Sequence, residues 1–310
     1  MIREHRVCQF MSRTFCLLAL GIMMQGCEQI FEPLEADDPQ MGVSATFSPL
    51  VDVANPDLGF MVFLTPVVPF SAGPNDSFIE GALVELYSGN QLLTTFVEGS
   101  IGPRRVYASF LKPEPGKSYT LRISDPEYGV AEATDRLPGA LTASILGYSD
   151  LELTDLPENK QRINFTIELE IEDKPIEDDY YHVYLEYRLT SDPSNRRFFQ
   201  IANAEQNDPA ITPFLLSQSI LLDGRLFDGE KKTLKLTCQA DLDPGEEILN
   251  VQSEFRHVSF NYYQFHRTQA IQVSNGGSPV VEPTPLFSNV SGGVGFFGGF
   301  NPTRDTIQLN

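Results

Sequence analysis

The chain has 310 residues, 41% of them hydrophobic and 11% aromatic, enough to build packed cores and to exclude an intrinsically disordered protein. Its 42 Asp and Glu residues outnumber 22 Lys and Arg, giving a formal net charge of −20. A surface of that sign repels phosphate backbones and anionic headgroups, which excludes nucleic acid as a partner and any purely electrostatic hold on a membrane.

At the start of the chain, Arg3, Arg6 and Arg13 lead into the apolar run Phe15 to Met24, and Gln25-Gly26-Cys27 closes it. A basic n-region, an apolar h-region and a small residue before a cleavage point form the pattern of an export signal. Ten apolar residues rise only about 15 Å as a helix, half of a bilayer core, so a permanent span is a poor reading. The ending Met24-Gln25-Gly26-Cys27 resembles the lipobox of bacterial lipoproteins. It predicts a signal peptide over 1–26 and acylation of Cys27 as the new first residue by palmitate-like chains. Each buried CH₂ contributes about 0.8 kcal/mol, so several chains together anchor firmly.

Of four cysteines, Cys8 and Cys16 leave with the leader and Cys27 takes lipid, leaving Cys238. One thiol closes no intramolecular disulfide and makes no cysteine zinc site. Cys238 alternates with Leu234, Leu236 and Ala240 on one strand face, which predicts a buried packing thiol.

Residues 27–40 are acidic, interrupted by Pro33 and Pro39, and lack a helical or strand period, so they read as a flexible stalk. From Met41 onward, short alternating runs separated by Gly/Pro turns predict strands over 41–47, 60–65, 81–87, 91–97, 105–110, 118–124 and 129–135. Seven strands in about a hundred residues predict an immunoglobulin-like or transthyretin-like β-sandwich over 41–138. Leu137-Pro138-Gly139 marks its end, and a second β-rich domain is expected over 139–310.

That second domain opens with a clear alternation: Ile163, Phe165, Ile167, Leu169 and Ile171 on one face, polar residues on the other. One face packs and one meets water. Asp179 to Tyr187, 197–201, 233–240 and 248–255 continue as strands. The one helix expected is 259–273, capped by Ser259, with Tyr262, Tyr263, His266, Ala270 and Val273 near one side and Asn275-Gly276-Gly277 as its stop. The glycine-rich run 292–300 is expected to be a closing strand, because a phosphate loop needs a following helix and usually a Lys.

This ending, Pro285 to Gly299, with Asn261-Tyr262-Tyr263, Leu226-Phe227-Asp228-Gly229 and Asp179-Tyr180-Tyr181, resembles a family of Bacteroidota lipoproteins catalogued as domain of unknown function 4249. The resemblance covers most of the chain after the leader. It implies an accessory role in the envelope beside a TonB-dependent outer-membrane transporter, and it carries no functional residues with it.

Gly-x-Ser-x-Gly, His-Glu-x-x-His and the Gly-x-x-x-x-Gly-Lys loop are all absent, and His182, His257 and His266 lie far apart along the chain. Three weaker features stand beside their bland readings. The acidic run Glu168, Glu170, Glu172, Asp173, Glu177, Asp178 and Asp179 offers oxygen ligands for Ca²⁺ but lacks a fixed loop order, and a solvated strand face is the default. Tyr180, Tyr181, Tyr184 and Tyr187 offer a stacking platform for a sugar, although Tyr is common in strands. Asp223 with Asp228-Gly229 is a second candidate cation loop.

The sequence therefore predicts an all-β, non-enzymatic outer-membrane lipoprotein, anchored through Cys27 on either the periplasmic or the cell-surface face. No catalytic, cofactor-binding or metal residue is assigned, and the expected partner is a TonB-dependent transporter or its cargo. A surface adhesin or scaffold is the alternative, and a carbohydrate-active or cation-dependent hydrolase the remote one.

Overall fold

The computed structural model describes residues 39–49, 59–67, 77–175, 178–203, 208–214, 218–275 and 285–309. The leader, Cys27 and most of the expected stalk lie outside them. In chain order the strands are β1 (Met41–Phe47), β2 (Phe60–Pro66), β3 (Leu83–Ser88), β4 (Gln91–Thr95), β5 (Val97–Ile101), β6 (Arg104–Ser109), β7 (Ser118–Asp125), β8 (Gly129–Arg136) and β9 (Thr142–Asp155). They continue as β10 (Gln161–Glu172), β11 (Tyr180–Leu189), β12 (Asp192–Phe198), β13 (Gln200–Asn203), β14 (Ile211–Phe214), β15 (Ser219–Asp223), β16 (Lys231–Leu242) and β17 (Ile248–Val258). The helix α1 (Phe260–Asn275) and the last strand β18 (Val294–Ile307) follow. The protein is all-β with several sheets, as its short alternating runs predict.

One ten-stranded sheet organises the fold, in the order β14-β15-β11-β17-β18-β1-β2-β6-β5, with β12 also paired to β11. Its last strand in sequence sits in the middle: β18 pairs antiparallel with β17 and parallel with β1. Two four-stranded sheets, β4-β3-β7-β8 and β13-β16-β10-β9, complete the set. The first packs against β1 and β2 around Phe47, Phe60, Leu86, Tyr119 and Leu121, and Phe297 of β18 enters the same cluster. The second packs against β11 and β17 around Phe165, Ile167, Leu185, Leu236 and Phe255. Residues of one parity on the long sheet (Val43, Ala45, Phe297, Phe255, Val183) thus point into the two sandwich cores.

The expected boundary at residue 138 falls where the chain passes between these cores, but the sheets do not part there. Pro39–Asn310 forms one compact unit, because the C-terminal strand completes the N-terminal sandwich.

Strand β10 behaves as its alternation demands, with Ile163 to Ile171 buried at every second position. Cys238 is fully buried beside it, where burial alone pushes the thiol up and makes it a poor nucleophile. Strand β9 escaped the sequence reading. It is an edge strand with two register irregularities against β10, and Leu146, Leu151 and Leu153 are exposed on it, so no period-2 pattern survives.

The opposite face of the long sheet carries α1. Ser259 caps the helix as the sequence predicts, its Oγ accepting the Tyr262 N–H at 3.2 Å. Tyr262 and Tyr263 are buried as expected, whereas Val273 is 62% exposed, because the last turn extends past the sheet. Close approach of the helix depends on Gly298 of β18: a Cβ there would lie 2.9 Å from the Tyr262 Cβ.

Candidate functional site

Among the described residues, several concave regions gather polar side chains. The first lies where the chain links the two cores and is lined by Asp135, Asp179, His257 and Ser259, among others, around a volume of about 420 Å³. A serine, a histidine and two aspartates invite comparison with a hydrolase triad, but the wiring is different. The Ser259 hydroxyl donates to Asp135, while the imidazole of His257 faces Asp179 Oδ1 at 2.8 Å through Nε2 and the Gly139 carbonyl at 3.0 Å through Nδ1. Both ring nitrogens are therefore occupied by acceptors, and the base that would activate Ser259 is turned away from it. These contacts are structural: Asp135 also accepts the Gly299 N–H at 2.8 Å and the Asn261 amide at 2.9 Å, tying β8, β18 and the start of α1 together.

Burial raises the Asp135 carboxyl to about 6, against the opposing pull of its hydrogen bonds from Ser259, Gly299, Arg136 and Asn261. Its folded-state value lies above the ordinary 3.8, so the folded protein holds this proton more tightly than the unfolded chain. The resulting stabilisation is complete below about pH 4 and is lost as pH rises through 6. At about 1.4 kcal/mol per unit this amounts to about 3 kcal/mol. Denaturant titrations of wild type and Asp135→Asn between pH 7 and 4 are expected to show wild type gaining on the variant as pH falls; parallel profiles would refute the assignment.

The second region is a cleft of about 680 Å³ between α1 and the helix-side face of the long sheet. Strand β1 supplies Ser44 and Thr46, β2 supplies Phe63, β18 supplies Phe296 and Phe300, and α1 supplies Tyr262, Phe265, His266 and Gln269. Arg104 stands exposed at the β5–β6 turn, and Arg256 of β17, 6% exposed, forms part of the wall. The Arg256 guanidinium is clamped between the rings of Tyr184 and Phe300, 4.4 and 4.3 Å from their centroids. Its Nε donates to Glu254 at 2.6 Å and its Nη1 to the Tyr262 hydroxyl at 3.1 Å.

Behind this wall lies a buried ionic network. Glu254, with no exposed surface, accepts from Arg256 and from Arg304 Nε at 2.9 Å, and Arg196 stands 3.5 Å away. Glu186 is paired with Arg196 and lies 3.8 Å from Arg188. Beside the cleft, burial lowers the imidazole of His266 to about 3 and that of His182 well below its ordinary value, so both rings are neutral at pH 7. His182 is held by the Tyr262 hydroxyl at 3.0 Å and Ser219 Oγ at 2.9 Å. The Nδ1 of His266 is buried without a partner among the described residues.

The features singled out in the sequence fare unevenly. The stacking platform is not formed: Tyr180, Tyr181, Tyr184 and Tyr187 are all buried, because β11 is a central strand covered on one face by β10 and β16 and on the other by α1. In the acidic run, Glu168 and Glu170 face Lys235 and Lys231 across β16, and Asp173 accepts from Tyr181 and the Gly229 N–H. Glu177 lies outside the described residues. Asp223 is held bidentately by Arg225 at 2.8 and 2.7 Å. Among the described residues no group of three or more His, Cys, Asp or Glu could hold a metal ion. His182 and His266, distant in sequence, come together with ring centroids 5.8 Å apart. No sequence pattern announced the cleft itself, since its residues come from nine separate elements.

Among the described residues, fold and cleft together define an all-β, multi-sheet protein with an aromatic, arginine-bearing recess between a long sheet and the helix α1. A model of the family described as "Domain of unknown function (DUF4249)" matches residues 32–306, and the chain belongs to that family. None of the curated proteins compared with the chain matches it. Among solved structures, a chain from "Chaperone-tip adhesin complex is vital for synergistic activation of CFA/I fimbriae biogenesis" aligns at 9% identity and TM-score 0.21, covering 56% of this chain and 67% of that one. A variant of BcpA, the major pilin subunit of Bacillus cereus, aligns at 14% identity and TM-score 0.24, covering 72% of this chain and 65% of that one.

Proposed function

We propose that this chain is a Bacteroidota outer-membrane lipoprotein, tethered through acylated Cys27, that binds a ligand without transforming it and serves a TonB-dependent transporter as accessory or cargo-binding partner. The observation that carries the binding role is the cleft under α1: aromatic walls with a few fixed polar groups are what a small-molecule site requires. The wiring of Ser259 and His257 supports binding over hydrolysis, because each is committed to holding the fold. The tether is supported by the leader and its Met24-Gln25-Gly26-Cys27 ending, and the transporter by the family resemblance.

Affinity capture from gently solubilised membranes is expected to recover a TonB-dependent transporter with the wild-type protein. The Cys27→Ser variant is expected to leave the membrane fraction and lose that partner. Recovery of the wild-type protein alone, or a native mass showing Cys27 without diacylglyceryl, would overturn the proposal.

A further inference from the structure

The charge lining the cleft is the reverse of the charge of the whole chain. The sequence carries 42 acidic against 22 basic residues, yet no Asp or Glu lines the cleft among the described residues, while Arg104 and Arg256 both do. Immediately behind the wall, the two buried carboxylates of Glu186 and Glu254 are outnumbered by the guanidiniums of Arg188, Arg196, Arg256 and Arg304. Arg188, Arg196 and Arg304 are partly exposed to solvent, whereas Arg256 is buried and itself forms part of the cleft wall. Solvent screens the Arg256 charge weakly, and with Arg104 and no carboxylate in the lining the cleft favours an anion.

The geometry of Arg256 gives the anion a place to sit. Of its three nitrogens, Nε is taken by Glu254 and Nη1 by Tyr262, while Nη2 makes no hydrogen bond among the described residues. Its two faces are covered by Tyr184 and Phe300, so the guanidinium cannot swing away. A fixed, desolvated guanidinium with donors to spare is a preorganised acceptor site for a carboxylate. Those same rings would otherwise attract a cation, but Arg256 already occupies the faces it stacks on. Arg104, which makes no ion pair among the described residues, stands at the rim as a second positive charge.

The remaining walls specify the other end of the ligand. Phe63, Phe198, Phe265 and Phe296 surround the space with ring surface, and Phe265 and Phe296 are stacked with centroids 4.1 Å apart. A small hydrated anion would leave these rings facing water, whereas a flat apolar body would bury against them. The volume of about 680 Å³ lies in the range of small-molecule sites, roughly 300–1,000 Å³. His266, neutral, lines the cleft without adding charge, its unpartnered Nδ1 itself buried.

We propose that this cleft binds an organic carboxylate with a flat apolar body, its carboxylate directed at Arg256 and Arg104 and its body held between the phenylalanine rings. The inference rests on reading the chain as a binding protein, and it names the chemical class of what is bound. Its test is separable from the transporter experiment, since charge discrimination by the purified protein needs neither lipid nor partner.

The probes are three molecules of one shape and different charge: 2-naphthoate, 2-naphthamide and 2-naphthylmethylammonium, titrated calorimetrically into the full-length protein at pH 7. Naphthoate is expected to bind at least tenfold more tightly than the amide, and the ammonium compound least. Arg104→Gln, an exposed site, is expected to weaken naphthoate about fivefold and leave the amide unchanged, while Phe63→Ala weakens both alike, with thermal unfolding of each variant confirming an intact fold. Equal binding of naphthoate and amide, preference for the ammonium compound, or no saturable binding of any of the three to folded protein would overturn the proposal. So would naphthoate binding that neither substitution weakens, because it would then lie elsewhere on the molecule.

Discussion

Replacing Glu254 with Gln is expected to destabilise the protein by about 3–5 kcal/mol, the cost of leaving buried charge without its counterion. Glu254 has no exposed surface and faces three guanidiniums, those of Arg256, Arg304 and Arg196. Burial alone would push its carboxyl up; the three arginines outweigh that and hold it at about 2. Removing its charge would leave Arg256 clamped between two rings with only a hydroxyl and a neutral amide to answer it. The pH dependence checks the same assignment independently. A carboxyl at about 2 in the folded state and 4.5 in the unfolded chain contributes stability that is complete above pH 4.5 and lost as pH falls to 2. That window amounts to about 3 kcal/mol, in keeping with the cost of substitution. Urea denaturation at pH 7 is the measurement, with Glu168→Gln as the comparison: its exposed pair with Lys235, 3.8 Å apart, is expected to matter by under about 0.5 kcal/mol. A loss of less than about 1 kcal/mol at Glu254 would mean that the arginines find other acceptors.

The contrast between Glu254 and Glu168 also shows what the sequence could and could not reveal. Strand β10 was legible because water reaches one of its faces, so Glu168 and Glu170 alternate with Ile167 and Leu169. Strand β17 carries a similar alternation, Ser253 and Phe255 against Glu254 and Arg256, and the same rule assigns the charged face to solvent. In the structure that face is covered, Arg256 meeting Tyr262 of α1 and Glu254 meeting arginines of neighbouring strands, and the charges are buried as a network. Nothing local distinguishes the two cases: the covering helix lies next along the chain, but the arginines that neutralise Glu254 come from β12, β17 and β18. Strand β11 shows the same limit from the other side. Its tyrosines suit a strand, and whether they form an exposed platform or a core depends on what packs over them. The helix, by contrast, was readable because its start signal is local, Ser259 capping the third residue onward. The glycine-rich strand was readable as a strand, but its place in the middle of the largest sheet was not.

That place is what makes Gly295→Ala the most damaging small substitution expected in the molecule. Gly295 has φ +123°, a conformation that L side chains rarely adopt, and a Cβ there would lie 1.9 Å from the Val43 carbonyl oxygen. Val43 is its partner in the parallel ladder between β1 and β18, so the methyl group would be driven into the strand with which Gly295 pairs. Backbone strain alone is worth about 1–3 kcal/mol, and relief of the contact requires β1 and β18 to separate over the pairs from Gly42↔Val294 to Phe47↔Gly299. That ladder is the seam joining the two sandwich cores. A loss of at least about 4 kcal/mol is therefore expected, placing the substitution among the exceptional ones. Gly99→Ala, where a Cβ meets nothing within 4 Å, is expected to be nearly neutral. Amide hydrogen exchange distinguishes a local from a global effect: in a Gly295→Ala protein that still folds, protection should fall first in β1 and in the first half of β18, while β10 and β16, packed on the far core, keep theirs. Because Phe296 and Phe300 reach the cleft from that same half of β18, the variant should also lose binding of 2-naphthoate. If exchange in β1 is unchanged, the ladder tolerates the methyl group and the two cores are held together by something other than this pairing.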